Sequence, residues 1–228
     1  MKIKWGALVT DGRNKIGGHV ASKNRGGAYL RTKVTPVNPQ TTFQSSVRAV
    51  FTALSQAWRS LTEANRLAWD SAVSSFTSTD IFGDIKTPTG KNLYQKLNTN
   101  LSTVGVAAIS TPPLPSGAGS VDSLSAIYDV SAQSVIVTFT PTPVPADTAL
   151  VLECTGGMSP GRNFMKNDFR VLEIFDAAAT SPQTVSSAYL ARFGAIVLGQ
   201  KYGVRLSSVN KLTGEKSTGR AIIVIAVA

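Results

Sequence analysis

Residues Ser134–Thr140 read SVIVTFT, alternating polar and apolar side chains with no turn residue inside the run. A period of two marks a strand with one face buried. Outward from it the same grammar recurs in Ala149–Thr155 (ALVLECT), Arg170–Phe175 (RVLEIF), Ala195–Leu198, Lys201–Val209 and Arg220–Val227. Turn formers punctuate the series: Pro141 to Pro145, Gly156-Gly157, Ser159-Pro160-Gly161 and Thr213-Gly214. Short strands at regular spacing, with no helical pattern between them, predict an antiparallel β-sandwich over residues 120–228. Cys154 alternates into an apolar strand and reads as a small buried hydrophobe. Ala221–Ala228 reads as the last strand of the sandwich, or as an edge offered to a neighbour.

Within that series, Lys201-Tyr202-Gly203-Val204-Arg205-Leu206, then Val209-Asn210 and Thr213-Gly214, resembles the penultimate strand of fibronectin type III domains. The resemblance implies an immunoglobulin/fibronectin-III-like unit and gives Tyr202 a structural role as the tyrosine of the strand corner.

Upstream, Ser110–Gly119 (STPPLPSGAG) is a linker by composition, so residues 109–119 separate the sandwich from a different kind of chain. Residues 38–108 carry helical spacing. Asn38-Pro39-Gln40-Thr41 reads as a helix start, and Phe43, Val47, Val50, Phe51, Leu54, Trp58 and Leu61 then form one apolar face. Thr62 reads as a second N-cap with Glu63 in the first turn. Ala64, Leu67, Ala68 and Val73 give that second helix its apolar side. Trp58 and Trp69 flank the turn and are expected to close the hairpin, on each other or on a shared core. A third helix from Lys91 to about Thr103 places Leu93, Tyr94, Leu97 and Leu101 on one face. Helices this short need tertiary contacts, within a small bundle or within an assembly. The fold class expected is therefore α+β.

Residues 1–37 differ again. Residues 1–33 hold eight basic residues against Asp11 alone, a local balance of +7 out of a net +10 for the 228-residue chain. Residues 34–100 balance at +2 and residues 101–228 at +1. The segment is glycine-rich, and its large apolar residues are chiefly Trp5, Leu8, Val9, Ile16, Val20, Tyr29 and Leu30. Glycine loses the most entropy on ordering, so an extended basic arm that orders on something else is expected. Its candidate docking residues are Arg13, Lys15, Lys23, Arg25, Tyr29, Arg31 and Lys33, whose cations suit carboxylates or phosphates.

Chemistry is sparse elsewhere. One cysteine excludes a disulfide framework and a cysteine-based zinc site. A single histidine, His19, argues against histidine-centred catalysis or metal binding. No phosphate-binding P-loop motif is present, and the pairs Gly17-Gly18 and Gly26-Gly27 follow no strand of a βαβ unit. Asp70, Asp80 and Asp84 are expected to face solvent. The apolar runs are far shorter than the roughly 20 residues that span a bilayer, and no secretory leader is read. No enzyme activity, cofactor, metal or membrane partner is expected.

Residues 17–72 carry a second resemblance. They contain Arg25-Gly26-Gly27-x-Tyr29-Leu30-Arg31, then Pro36-Val37-Asn38-Pro39-Gln40-Thr41 with Gln44 and Arg48, then Trp58-Arg59-x-Leu61-Thr62-x-x-x-Arg66-x-x-Trp69. These elements resemble a group of small proteins of bacteriophages and prophage-bearing bacteria with the motifs NPxTxxQxxxR and WxxLTxxxRxxW. That resemblance implies a structural component of the virion (capsid-decorating, neck or tail), assembled in the host cytoplasm with other virion proteins and copies of itself. Two other functions fit the residues alone. Residues 1–33 could bind nucleic acid through phosphates, or the sandwich loops could bind a host surface or glycan.

Overall fold

The computed structural model describes residues 1–4, 6, 11–35 and 37–228. Trp5, Leu8 and Val9 of the arm and Pro36 of the motif lie outside them. Three strands come first: β1 (Asn14–Ile16), β2 (His19–Asn24) and β3 (Gly27–Thr32). The expected arm is extended in backbone but folded back on itself, as an antiparallel meander in the order β1-β2-β3. The glycine pairs make this possible: Gly17 and Gly27 take positive φ at the two turns. Residues 1–4 add to the free edge of β3, where the Ile3 amide donates to Ala28 O at 3.0 Å and the Leu30 amide to Met1 O at 2.8 Å.

The helical section follows: α1 (Thr42–Ser60), α2 (Glu63–Ala72) and, after the short hairpin β4 (Ser78–Thr79) and β5 (Ile85–Lys86), α3 (Gly90–Thr103). Each helix has a threonine N-cap. Thr41, Thr62 and Thr89 accept from the amides of Gln44, Asn65 and Asn92. The Arg48 guanidinium donates to Asn38 Oδ1 at 2.9 Å, so the spacing of asparagine and arginine in the first motif fixes how the chain enters α1. The second motif builds the core. Trp58 and Trp69 do not pack on each other; each packs on Tyr94 of α3, with centroids 5.4 Å away in both cases. Trp69 is fully buried and its indole N–H donates to Ser110 O at 2.8 Å. Leu67, read as part of the apolar side of α2, is instead exposed.

The sandwich comprises β6 (Ser123–Asp129), β7 (Ser134–Thr140), β8 (Thr148–Cys154), β9 (Arg170–Phe175), β10 (Gln183–Thr184), a helix α4 (Ser186–Phe193), β11 (Lys201–Asn210) and β12 (Arg220–Ile225). One sheet runs β10-β7-β6 and the other β12-β11-β8-β9. Seven strands split three and four, with the chain crossing between sheets after β7, β9 and β10, is the arrangement that the fibronectin type III resemblance implies. Leu124, Val137, Phe139, Leu150, Leu152, Val204 and Leu206 fill the space between the sheets. Tyr128 stacks on Tyr202 at 4.5 Å. The Tyr202 hydroxyl accepts from the Val197 amide at 2.8 Å, a bond from the start of β11 back to the corner before it.

Two expectations for this region need correction. Ala195–Leu198 is not a strand. Gly194 and Gly199 bracket it at positive φ, its Ile196 plugs the core, and the amides of Ile196 and Val197 go to the Gln133 and Tyr202 side chains rather than to a ladder. A helix does lie within the sandwich: α4 fills the crossover and buries Tyr189, whose hydroxyl donates to Thr155 O at 2.9 Å.

The linker is strapped at both ends. Asn98 brackets Ile109, accepting from its amide at 2.7 Å and donating to its carbonyl at 3.3 Å. Glu215 accepts from the amides of Ser116 and Gly117 at 2.9 and 2.7 Å. Helices and sandwich meet at the β11–β12 turn, where Asn100 donates to Gly214 O at 2.8 Å. Gly214 has φ +74 there, and a Cβ on it would lie 2.4 Å from Leu97 O, so the junction requires glycine.

Candidate docking surface

The meander gives the candidate docking residues a definite geometry. Cross-strand partners share a face of a sheet. Lys15 and Arg31 both pair with Val20, from opposite sides, so these two cations flank one apolar residue on one face. Tyr29 pairs with Ser22 on that same face, and Lys33 follows Arg31 by two residues. Lys23 pairs with Ala28 and projects from the other face. Arg25 sits at the β2–β3 turn, and Arg13 lies just before β1, where it pairs with Asp11 at 3.2 Å. The structure therefore brings Lys15, Tyr29, Arg31 and Lys33 together and separates Lys23, Arg25 and Arg13 from them. Among the described residues, Lys15, Lys23, Arg25, Arg31 and Lys33 form no ion pair, and all five are exposed.

The strand at the edge of the meander is different, because it is moored. Lys2 pairs with Asp80 at 3.3 Å and Lys4 with Asp84 at 3.0 Å. Asp80 was expected to face solvent, but only 6% of its side chain is exposed. It also accepts from the amides of Phe82 and Asp84 and pairs with Lys86 at 3.7 Å. Burial alone would push this carboxyl up. The two amide donors and the Lys2 ammonium outweigh that and hold it below the usual carboxylate range. Asp70 is exposed, as expected, and accepts from the Gly90 amide at 3.0 Å, at the start of α3.

Sequence reasoning missed Asp80 because nothing local marks it. Its partners lie 78 residues upstream and in the hairpin it closes. Asp80→Ala should free the edge strand: the amides of Ile3 and Leu30 should exchange about tenfold faster or more, while the β2–β3 ladder keeps its protection. Retained protection at Ile3 would disprove the mooring. A carboxyl with a depressed folded pKa stabilises above its unfolded value and loses that contribution as pH falls through the folded one. The edge should therefore stay attached at neutral and mildly acidic pH and detach only below the ordinary carboxylate range.

Cys154 is buried, and burial pushes its thiol up to about 12. Among the described residues, no three His, Cys, Asp or Glu side chains are placed to hold a metal ion, and no helix is long and apolar enough to cross a membrane.

No family model and no curated protein matches the chain. Among solved structures it is similar to a Fn3-like protein from Clostridium thermocellum, at 15% identity and a TM-score of 0.31, over 50% of this chain and 97% of that one.

Proposed function

We propose that this chain is a structural component of a bacteriophage particle that docks on a neighbouring protein through the basic meander and the adjoining helices. The observation that carries the proposal is the concentration of exposed cations, Lys15, Lys23, Arg25, Arg31 and Lys33, with no ion-pair partner among the described residues, on a meander that buries almost nothing but Ala21. Like charges crowded on so small a sheet repel one another and are stabilised when an acidic surface meets them. The two motifs shared with the phage group support the same reading. Their structural work is to set the entry into α1 and to line the α1–α2 hairpin with tryptophan, while Asp80 and Asp84 of the β4–β5 hairpin moor the meander. The sandwich is then a bridging or projecting module.

The test is composition. Purified particles should contain the chain at a fixed copy number, and particles made with a chain lacking residues 1–33 should lack it. Its absence from intact particles would sink the proposal. A nucleic-acid partner is the second reading, favoured by Lys15 and Arg31 sharing a face. It requires affinity for nucleic acid that falls steeply with salt, by a slope of about −0.9 per phosphate contacted on duplex DNA.

A further inference from the structure

The apolar stripe of α1 is covered along only half of its length. Its C-terminal half buries Leu54 and packs Trp58 on Tyr94. In its N-terminal half Phe43, Val47 and Phe51 stay 53%, 51% and 55% exposed. Phe51 borders an open cleft of about 400 Å³ whose other walls, including Gln95, Lys96 and Thr99, are polar, and Phe43 meets the Arg192 guanidinium of α4, 5.7 Å from its ring centroid. Exposed rows of large apolar side chains at helical spacing mark a surface made for contact.

The pattern itself selects the occupant. Phe43-x-x-x-Val47-x-x-x-Phe51 reads the same in both directions about Val47. We infer that this stripe pairs with the same stripe of a second copy, the two helices antiparallel, with Val47 on the two-fold axis. Each Phe43 then lies against the partner copy's Phe51, the self-complementary arrangement a two-fold interface demands. Charge permits the approach. Within α1 from Thr42 to Ala53 the only charged residue is Arg48, which the bond to Asn38 draws aside and which would face Ser46 of the second copy rather than its own counterpart, and the Arg192 cation of α4 lies over the Phe43 ring, where it would flank the aromatic pair as a cation–π partner. Antiparallel helices also set opposite dipole ends side by side.

Area sets the strength. An aromatic side chain buries about 150–250 Å², so these half-exposed residues supply about 600 Å² over both copies, half of what a stable interface needs. The pair is therefore weak in dilute solution and forms where an assembly concentrates the copies. It does not depend on what the meander binds.

Cysteine crosslinking reads the geometry directly, since Cys154 is fully buried and does not compete. Under mild oxidation at high protein concentration, Val47→Cys should crosslink to itself. Phe43→Cys and Phe51→Cys should each stay monomeric alone and crosslink when mixed. Sedimentation of the unmodified chain should show dimer growing with concentration, and Val47→Glu should abolish it. Self-crosslinking of Phe43→Cys would mean parallel helices and overturn the inference. So would a Val47→Cys chain that stays monomeric while the unmodified chain shows no dimer at the same concentration.

Discussion

Trp69→Ala unfolds the helical section and leaves the sandwich standing. Trp69 is fully buried, meets Tyr94 edge-on at 5.4 Å and donates to Ser110 O. Truncating a buried tryptophan costs about 3–5 kcal/mol, through lost transfer energy and the cavity left behind. The section it belongs to is small, with a buried cluster of Leu54, Trp69, Leu93, Tyr94 and Leu97 only. A loss of that size exceeds what such a cluster can absorb, because net stabilities are small differences between large opposing contributions. The sandwich draws on a separate and larger cluster and meets the helices at its margin, where Asn100 of α3 donates to Gly214 O and where Arg192 of α4 lies over the Phe43 ring. Hydrogen exchange should thus show α1, α2 and α3 losing protection while β7, β8 and β11 keep theirs. Trp69→Phe should cost less, since it keeps an aromatic partner for Tyr94 and sacrifices mainly the bond to Ser110. Uniform loss across both regions would mean that the two fold as one unit.

The elements readable in advance are those whose signal is local. Thr62 and the apolar spacing around it place α2, and the SVIVTFT alternation places β7. Tyr202 also declares its role, because the corner it makes is closed by a neighbour five residues away. What escaped reading depends on distant partners. Ala195–Leu198 has the composition of a strand, but its amides are claimed by Gln133 and Tyr202 before any ladder can form. The helix α4 does carry a pattern, Val185-x-x-x-Tyr189-x-x-x-Phe193, in a stretch between the strand-like runs to which no element is assigned from sequence. At the candidate site the charges were legible and the faces were not. Which cations point together follows from strand register, and register is set by the turns at Gly17 and Gly27 rather than by the cations themselves.

Register turns the proposed docking into a test with a built-in control. Lys15→Glu combined with Arg31→Glu reverses two charges on one face, while Lys23→Glu reverses one on the other. All three side chains are exposed and none holds an ion pair among the described residues, so the fold should survive each change. A hydrogen bond to a charged partner contributes about 1.5–3 kcal/mol. Losing two contacts in the docked state therefore weakens binding by about 10²–10⁴-fold, at about 1.4 kcal/mol per tenfold. A lone charge outside the contact changes affinity little and acts chiefly through the screened long-range field, so Lys23→Glu should stay within about threefold. Incorporation into particles should follow the same order. Equal losses from both variants would show that the segment acts by net charge alone, with no docking face. Unchanged incorporation of the double variant would remove the meander from the contact altogether and leave attachment to the helices.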